Sequence, residues 1–223
     1  MKQKHPLKSQ KEDYSTITMK LFITGIGTDI GKTIAAAIIT EALEADYWKP
    51  IQAGDLDHSD SNKIAQYVSN DKTIIHDNSY KLNTPASPHW AAELDGITID
   101  LKNIREPKTK NHLVIEGAGG VFVPLNNTDC IIDLIKEDYK VIVVSRHYLG
   151  SINHTLLTVE ALKNKRITIA GIIFNGNENP ATESIILKKT GIPFLGRIDK
   201  EPYIDQNVVR AYADEFREKL MQL

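Results

Sequence analysis

A glycine-rich turn between an apolar strand and an apolar helix constrains this chain more than any other stretch. Residues 21–24 (Leu-Phe-Ile-Thr) predict a buried strand, and Lys32-Thr33 opens an apolar helical run. Strand, turn and helix in this order are the context of a phosphate-binding loop, because backbone N–H groups and the helix N-terminus attract phosphate oxygens. We therefore predict that Lys32 reaches the β- and γ-phosphates of a nucleotide and that the Thr33 hydroxyl binds Mg²⁺.

The spacing of this loop departs from the usual pattern. Five residues separate Gly25 from Gly31, whereas the common motif has four, so Ile26 occupies the place of a glycine. The loop is thus a deviant Walker A motif if it binds phosphate. A structural turn without a ligand is the alternative.

Length and composition limit the class of protein. A chain of 223 residues with 41% hydrophobic residues predicts one α/β domain, which we place at residues 19–223 after a flexible polar tail at 1–18. The net charge of −2 gives no electrostatic case for nucleic acid or a membrane surface. Cys130 is the one cysteine, which excludes an internal disulfide and fits a reducing cytosol. No apolar run approaches the ~20 residues of a membrane span, so we expect a cytoplasmic protein.

A second strand is predicted over residues 47–54, and it carries a lysine near its end. Lys49 is followed by Pro50, and the segment closes at Gly54. Because strand carboxyl ends line the ligand crevice of doubly wound sheets, Lys49 is expected to face the ligand that Lys32 holds. The alternative is a lysine that lies along Trp48 with its ammonium group in water.

Two acidic positions are candidate metal ligands. Ser59 or Asp60 is expected to cap a helix that runs to about Tyr67, and a carboxylate there could also bind Mg²⁺. An apolar strand from residue 112 is predicted to end at Glu116, before a run of three glycines in four residues. A strand-end acid beside a phosphate loop has the Walker B arrangement, which orients Mg²⁺. Capping alone, and a solvated Glu116 in a tight turn, are the alternatives.

Apolar runs at residues 139–145, 167–174 and 192–196 predict further buried strands. A helix is expected near 181–190, so strands and helices alternate. This alternation predicts a mostly parallel, helix-covered sheet. Asn175, at a predicted strand end, either reads a base edge through its amide or makes a turn.

Two helices show clear apolar stripes. Ser151 is the expected N-cap of a helix whose start could bind an anionic group. Its stripe comprises Ile152, Leu156, Val159 and Leu162. The stripe of the last helix comprises Val209, Tyr212, Phe216 and Leu220. Residues 72–110 carry little signal beyond a possible short helix at 89–93.

Taken together, four stretches resemble the dethiobiotin synthetase family. They are Thr24–Thr33, Lys49–Gly54, Glu116–Gly120 and Leu149–His154, in family order, and that family also has five residues before Gly-Lys-Thr. The resemblance implies a P-loop NTPase-type ligase of biotin synthesis that uses ATP and Mg²⁺. It implies that 7,8-diaminopelargonate and CO₂ are converted to dethiobiotin through a carbamate and a carbamic-phosphoric anhydride. A cytoplasmic homodimer is implied, with no nucleic-acid or membrane partner.

The resemblance also implies roles for individual residues. Thr28, Lys32 and Lys49 would be catalytic, with Lys49 at the carbamate; Thr33, Asp60 and Glu116 would hold Mg²⁺. The positions implied for the nucleotide and its metal are Asp29, Ile30, Gly31, Lys32, Thr33, Ile34, Asp60, Glu116, Gly117, Ala118, Gly119, Asn175 and Gly176. Those implied for the substrate are Gln52, Ala53, Gly150, Ser151 and Asn153, and the last three would meet the substrate carboxylate at a site completed across the homodimer. Many relatives have Ser or Thr at the position of Ala53, so one substrate contact is missing here or supplied by Gln52.

Three other classes of protein are alternatives. Partitioning ATPases of the deviant Walker class place a lysine where this chain has Gly27. Amide-forming ligases of cobalamin synthesis usually carry a glutaminase domain, for which 223 residues leave no room. A regulatory module that only binds nucleotide would not need a second lysine, so Lys49 favours an enzyme.

Overall fold

The computed structural model describes residues 18–223, and its largest element is a parallel β-sheet. The strands are β1 (Lys20–Gly25), β2 (Asp46–Trp48), β3 (Ile51–Ala53), β4 (Ile75–His76), β5 (Tyr80–Leu82), β6 (Leu113–Gly120), β7 (Lys140–Arg146), β8 (Ile169–Asn175) and β9 (Phe194–Ile198). Seven of them form one sheet in the order β4-β2-β6-β1-β7-β8-β9, and every neighbouring pair is parallel. Strands β3 and β5 form a separate parallel pair.

Helices lie between the strands and cover the sheet. They are α1 (Lys32–Leu43), α2 (Asp60–Tyr67), α3 (Pro88–Leu94), α4 (Ser151–Asn164), α5 (Pro180–Thr190) and α6 (Gln206–Met221). Helix α1 packs against α6, α2 and the central strands, while α4 packs against α5, β7 and β8. The predicted mostly parallel, helix-covered sheet is therefore confirmed.

The central strands are buried because helices cover them. In β7 the four residues Val141–Val144 are fully inaccessible to solvent, and in β1 so are Phe22 and Ile23. Such continuous apolar runs are typical of parallel strands with both faces covered. The last helix is amphipathic as predicted: Val209, Phe216 and Leu220 are fully buried and Tyr212 is partly so.

The strand predicted over residues 47–54 is wrong as a single element. It divides into β2, which joins the main sheet, and β3, which pairs with β5. Pro50 lies between them and has no N–H to donate to a sheet ladder, which accounts for the break. Lys49 consequently lies immediately after β2, at the carboxyl edge of the main sheet.

Two predicted boundaries near functional residues also need correction. Strand β6 does not end at Glu116 but continues to Gly120, so the carboxylate projects from within the strand. Ser151 is not the N-cap of α4: Gly150 occupies that position with a left-handed φ of 102°, and Ser151 is buried in the first turn. Ile152, expected in the apolar stripe, is 37% exposed.

Other elements match their predictions more closely. Ser59 caps α2 by accepting a hydrogen bond from the Asn62 backbone N–H. The short helix expected at residues 89–93 is α3, and the helix near 181–190 is α5. The last two predicted strands are displaced by two residues at their starts, to Ile169 and Phe194.

The predicted flexible tail at residues 1–18 lies outside the described residues except for Thr18. Across residues 18–223, none of the helices has the length and apolar character needed to cross a bilayer.

Candidate active site

A cleft of about 820 Å³ opens beside the loop that joins β1 to α1. Its walls come from that loop, the segments after β2 and β3, strand β6 and the residues before α3. Of the residues predicted to be functional, the cleft brings together Thr28, Asp29, Ile30, Gly31, Lys32, Thr33, Ile34, Lys49, Gln52, Ala53, Asp60, Glu116, Ala118 and Gly119. Four segments that are far apart in sequence therefore meet at one site.

The β1–α1 loop is held in shape by a few specific contacts. Gly31 has a φ of 95°, and a Cβ atom there would lie 2.2 Å from Asn175 Nδ2. The same Asn175 amide donates a 2.7 Å hydrogen bond to the carbonyl oxygen of Ile30. Only glycine satisfies both the left-handed backbone and the close approach. The loop and the start of α1 thus line the cleft together, which is the position that a phosphate site at a helix N-terminus requires.

Lys32 is a buried cation at the start of α1. Its ammonium group donates to the carbonyl oxygen of Gly27 at 2.9 Å, and the residue is 7% exposed. Burial lowers the pKa of Lys32 to about 8, against the attraction of Glu116. The charged form of Lys32 is therefore short of compensating charge, and a phosphate group is a natural partner for it.

Lys49 lies between two carboxylates. Its Nζ atom is 2.5 Å from Asp60 Oδ2 and 3.1 Å from Glu116 Oε1, and the residue is 5% exposed. Burial works against the charge on Lys49, but the two carboxylates outweigh it and raise its pKa. Burial likewise opposes the charge on Asp60, and Lys49 outweighs it, which lowers the pKa of Asp60. Lys49 and Asp60 thus stabilise each other's charged forms, and Lys49 lines the same cleft as Lys32.

Both oxygens of Glu116 are occupied. Oε1 accepts hydrogen bonds from Thr33 Oγ1 at 3.0 Å and from Lys49, and Oε2 accepts one from Tyr47 OH at 2.8 Å. Burial and the charge of Glu116 raise the pKa of Tyr47 well above its ordinary value, so the phenol keeps its proton and donates. Sequence reasoning missed Tyr47. Its position two residues before Lys49, on the same face of an extended segment, was the available signal.

The donor set is compatible with Mg²⁺. Thr33, Asp60 and Glu116 supply hard oxygen donors, and within residues 18–223 there is no group of three or more His, Cys, Asp or Glu side chains that would form an all-protein metal cage. Mg²⁺ commonly uses one or two carboxylates and completes its shell with water and phosphate oxygens. The ammonium group between Asp60 and Glu116 shows that these acids already accommodate a cation.

The Gln52 side chain links the turn after β3 to the start of α2. Its Nε2 donates to the Gly54 carbonyl oxygen at 2.9 Å, and its Oε1 accepts from the Asp60 backbone N–H at 3.3 Å. Both ends of the buried amide are therefore engaged within the protein. Ala53 lines the cleft beside it but offers no polar side-chain atom.

Six predicted site residues do not line this cleft: Gly117, Gly150, Ser151, Asn153, Asn175 and Gly176. Gly117 faces Phe22 instead, and Asn175 contacts the loop through Ile30. Ser151 is buried and Asn153 exposed at the start of α4. Within one chain, the structure therefore does not bring the α4 start into the cleft.

Solved structures with this fold include ATPases of cell division. The chain aligns with the cell division ATPase MinD of Pyrococcus furiosus over 92% of its own length and 99% of that protein, with a TM-score of 0.62 and 14% identity. It aligns with the septum site-determining protein MinD of Pyrococcus horikoshii, complexed with Mg-ADP, over 92% of both chains, with a TM-score of 0.56 and 15% identity. At such low identity these likenesses concern the fold alone.

Sequence relatives are much closer. A family model described as an AAA domain (AAA_26) matches residues 19–208. The chain is 57% identical to the ATP-dependent dethiobiotin synthetase BioD of Christiangramia forsetii, over 91% of this chain and 98% of that protein. It is 53% identical to the corresponding protein of Cytophaga hutchinsonii, over 87% and 95% of the two chains. This chain is therefore a member of the dethiobiotin synthetase family.

Proposed function

We propose that this protein is an ATP-dependent dethiobiotin synthetase that closes the ureido ring of dethiobiotin from 7,8-diaminopelargonate and CO₂. The observation that carries the proposal is the placement of Lys49, a buried cation that faces the same cleft as the phosphate-loop lysine. Binding a nucleotide alone does not require this second cation. Transfer of a phosphoryl group to an anionic acceptor does, because two anions must approach each other.

The first steps produce and activate an anion. One amine of the substrate attacks the carbon of CO₂ and loses a proton, which gives a carbamate. A carbamate oxygen then attacks the γ-phosphorus of ATP, the bond from that phosphorus to the bridging oxygen of ADP breaks, and a carbamic-phosphoric anhydride forms. In this proposal Lys49 stabilises the carbamate and Lys32 stabilises the phosphoryl group.

Ring closure follows from the activated carbonyl. The second amine attacks the anhydride carbon, phosphate leaves with the electrons of the C–O bond, and the nitrogen loses a proton. When bound, Mg²⁺ supplies positive charge to the phosphate oxygens, and Thr33, Asp60 and Glu116 would hold it. Thr28 and Asp29 line the cleft from the β1–α1 loop and are proposed to contact the reacting phosphate, while Gln52 accepts a hydrogen bond from the Asp60 backbone N–H.

The remaining site residues fit a two-subunit arrangement. Gly150, Ser151 and Asn153 do not line the cleft of their own chain, while the neighbouring Leu149 is fully exposed. We infer a homodimer in which the α4 start of one subunit completes the cleft of the other and binds the substrate carboxylate. Backbone N–H groups at a helix start are suited to such an anion. Asn175 and Gly176 are proposed for the adenine.

A partitioning ATPase is the main competitor because proteins of that class share the fold. The lysine expected for that class would replace Gly27, where a Cβ atom would meet no heavy atom within 4 Å. Space is therefore available there, and the chain carries glycine nonetheless. Together with Lys49, this favours the ligase.

The proposal is tested by incubating the purified protein with the diamine, ¹³C-bicarbonate and Mg-ATP. We expect a ring-closed product that carries one ¹³C atom, with one ADP released for each product formed, as measured by mass spectrometry and nucleotide chromatography. Reactions without ATP or without the diamine are the controls. ADP release that does not depend on the diamine, with no labelled product, would refute the assignment.

A further inference from the structure

Tyr47 makes a contact in the active-site cluster that the proposed reaction does not use. Its side chain is fully buried in β2, and its hydroxyl donates to Glu116 Oε2 at 2.8 Å. Glu116 is itself 1% exposed, so water does not replace this donor easily. The hydroxyl therefore acts on Glu116 and has no direct access to the cleft, whose lining does not include Tyr47.

The bond helps to fix the orientation of the Glu116 carboxylate. With Oε2 held by Tyr47, Oε1 is the oxygen that meets Thr33 and Lys49. Rotation of the carboxylate out of its observed plane would disturb all three hydrogen bonds. Tyr47 thus locks a single orientation of Glu116 from the side opposite the cleft.

We propose that Tyr47 is a positioning residue for the divalent cation of the nucleotide complex, which acts by orienting and satisfying Glu116. This inference rests on the proposed function, since it takes Glu116 as a metal ligand. Outer hydrogen-bond partners of metal ligands commonly change metal affinity by about 10- to 100-fold. Without the hydroxyl, Oε2 is left buried without its donor and the carboxylate is no longer held in one orientation, so the cation loses a preorganised ligand.

The test removes only the hydroxyl. Tyr47→Phe is compared with wild type by titrating Mn²⁺ into the full-length protein with ATP and following the free Mn²⁺ signal by electron paramagnetic resonance. We expect Mn²⁺ affinity to fall about tenfold, with little change in ATP affinity measured without divalent cations. Tyr139→Phe is the matched control, because Tyr139 is also buried and donates to a glutamate, Glu106, at 2.6 Å, away from the cleft.

Glu116→Gln separates the inference from the function on which it depends. If Glu116→Gln weakens Mn²⁺ binding, and Tyr47→Phe has no further effect in that background, the inference is supported. If Glu116→Gln weakens binding but Tyr47→Phe equals wild type or the Tyr139→Phe control, Tyr47 is only structural and the inference fails alone. If Glu116→Gln leaves Mn²⁺ affinity unchanged, Glu116 is not a ligand, and the proposed metal site fails with the inference.

Discussion

Lys49 has its ammonium group shielded from bulk water and between two acids. The free energy needed to remove three charged groups from water commonly exceeds the free energy of their mutual attraction. Such a cluster therefore seldom stabilises a fold. Its retention is better explained by chemistry that needs a fixed cation. Lys49 and Lys32 reach one cleft from separate segments, the residues after β2 and the start of α1.

Lys49→Ala should abolish most of the turnover while nucleotide binding persists. The phosphate loop and Lys32 are untouched, so ATP affinity should stay within a few-fold. Loss of one preorganised stabilising group commonly reduces kcat about 10²- to 10³-fold. Steady-state assays with the diamine and calorimetric titration with ATP measure the two effects. Lys81→Ala removes an exposed lysine paired with Asp77 and is the control; a collapse of ATP affinity only in Lys49→Ala would make Lys49 a phosphate ligand.

Most residues of the cleft could be predicted because their roles follow from local motifs. Lys32 and Thr33 are fixed by the loop, and Lys49 and Glu116 follow apolar segments that end near the same sheet edge. For Tyr47 the local signal is weaker, because its spacing of two residues from Lys49 indicates a shared face but not the partner of its hydroxyl. Its contact with Glu116 depends on the register of β2 against β6, where Tyr47 is paired with Val114, and a local pattern does not reveal that register.

At the scale of elements, the β1–α1 loop depends on one glycine more than on the others. Gly31 combines a left-handed φ of 95° with contact to Asn175, whereas a Cβ atom at Gly27 would meet nothing. The two glycines lie in the same loop, so they provide a matched pair. Comparing the same substitution at both positions shows whether the loop needs a left-handed residue at Gly31 or only small residues in general.

Gly31→Ala should destabilise the ligand-free protein by about 2–4 kcal/mol, because backbone strain and a steric clash add. Gly27→Ala should lie within ~0.5 kcal/mol of wild type. Urea unfolding without nucleotide measures both. Similar losses in the two variants would show that the loop does not depend on the left-handed residue in the way described.

The element boundaries that sequence reasoning missed have local physical causes. Pro50 divides a run that otherwise has the apolar character of one strand, and the separated pieces join different sheets. Gly150 starts α4 from a left-handed conformation, so the serine that looks like a cap is already inside the first turn. Both effects depend on tertiary partners as well as on residue type, whereas the strongly apolar β1 and β7 were predictable from sequence alone.

At the scale of the whole molecule, Glu106 links segments that are distant in sequence. Its carboxylate meets Lys20 at 2.6 Å, Lys136 at 3.0 Å and Tyr139 at 2.6 Å. Although burial opposes it, these hydrogen bonds lower the pKa of Glu106 to about 2. A carboxyl group whose pKa is lower in the folded than in the unfolded protein stabilises the fold at pH values above its ordinary pKa of 4.5. That contribution is lost as the pH falls from 4.5 toward 2.

Glu106→Gln should therefore cost about 1–2 kcal/mol at pH 7, a value reduced for solvent screening of the lysines. The difference from wild type should shrink between pH 4.5 and 2, since Glu106 becomes protonated there and resembles glutamine. Urea unfolding at several pH values gives the comparison. A difference that stays constant down to pH 2 would mean that the ionised form is not what stabilises the fold.

We expect the start of α4 to lie at the interface between two chains. Around the α4 start, Leu149 is fully exposed, Tyr148 is 41% exposed and Ile152 is 37% exposed. The residues proposed to bind the substrate carboxylate lie in the same segment and outside the cleft of their own chain. A partner subunit would therefore bury these apolar side chains and bring its cleft to the helix start.

Leu149→Asp should place a charge in that interface, convert a dimer to monomers and reduce turnover at low substrate concentration. Ile74→Asp, at a residue that is 58% exposed and adjoins β4, should leave the dimer intact. Light scattering after size-exclusion chromatography measures both, and a monomeric wild type with full turnover would exclude the shared site.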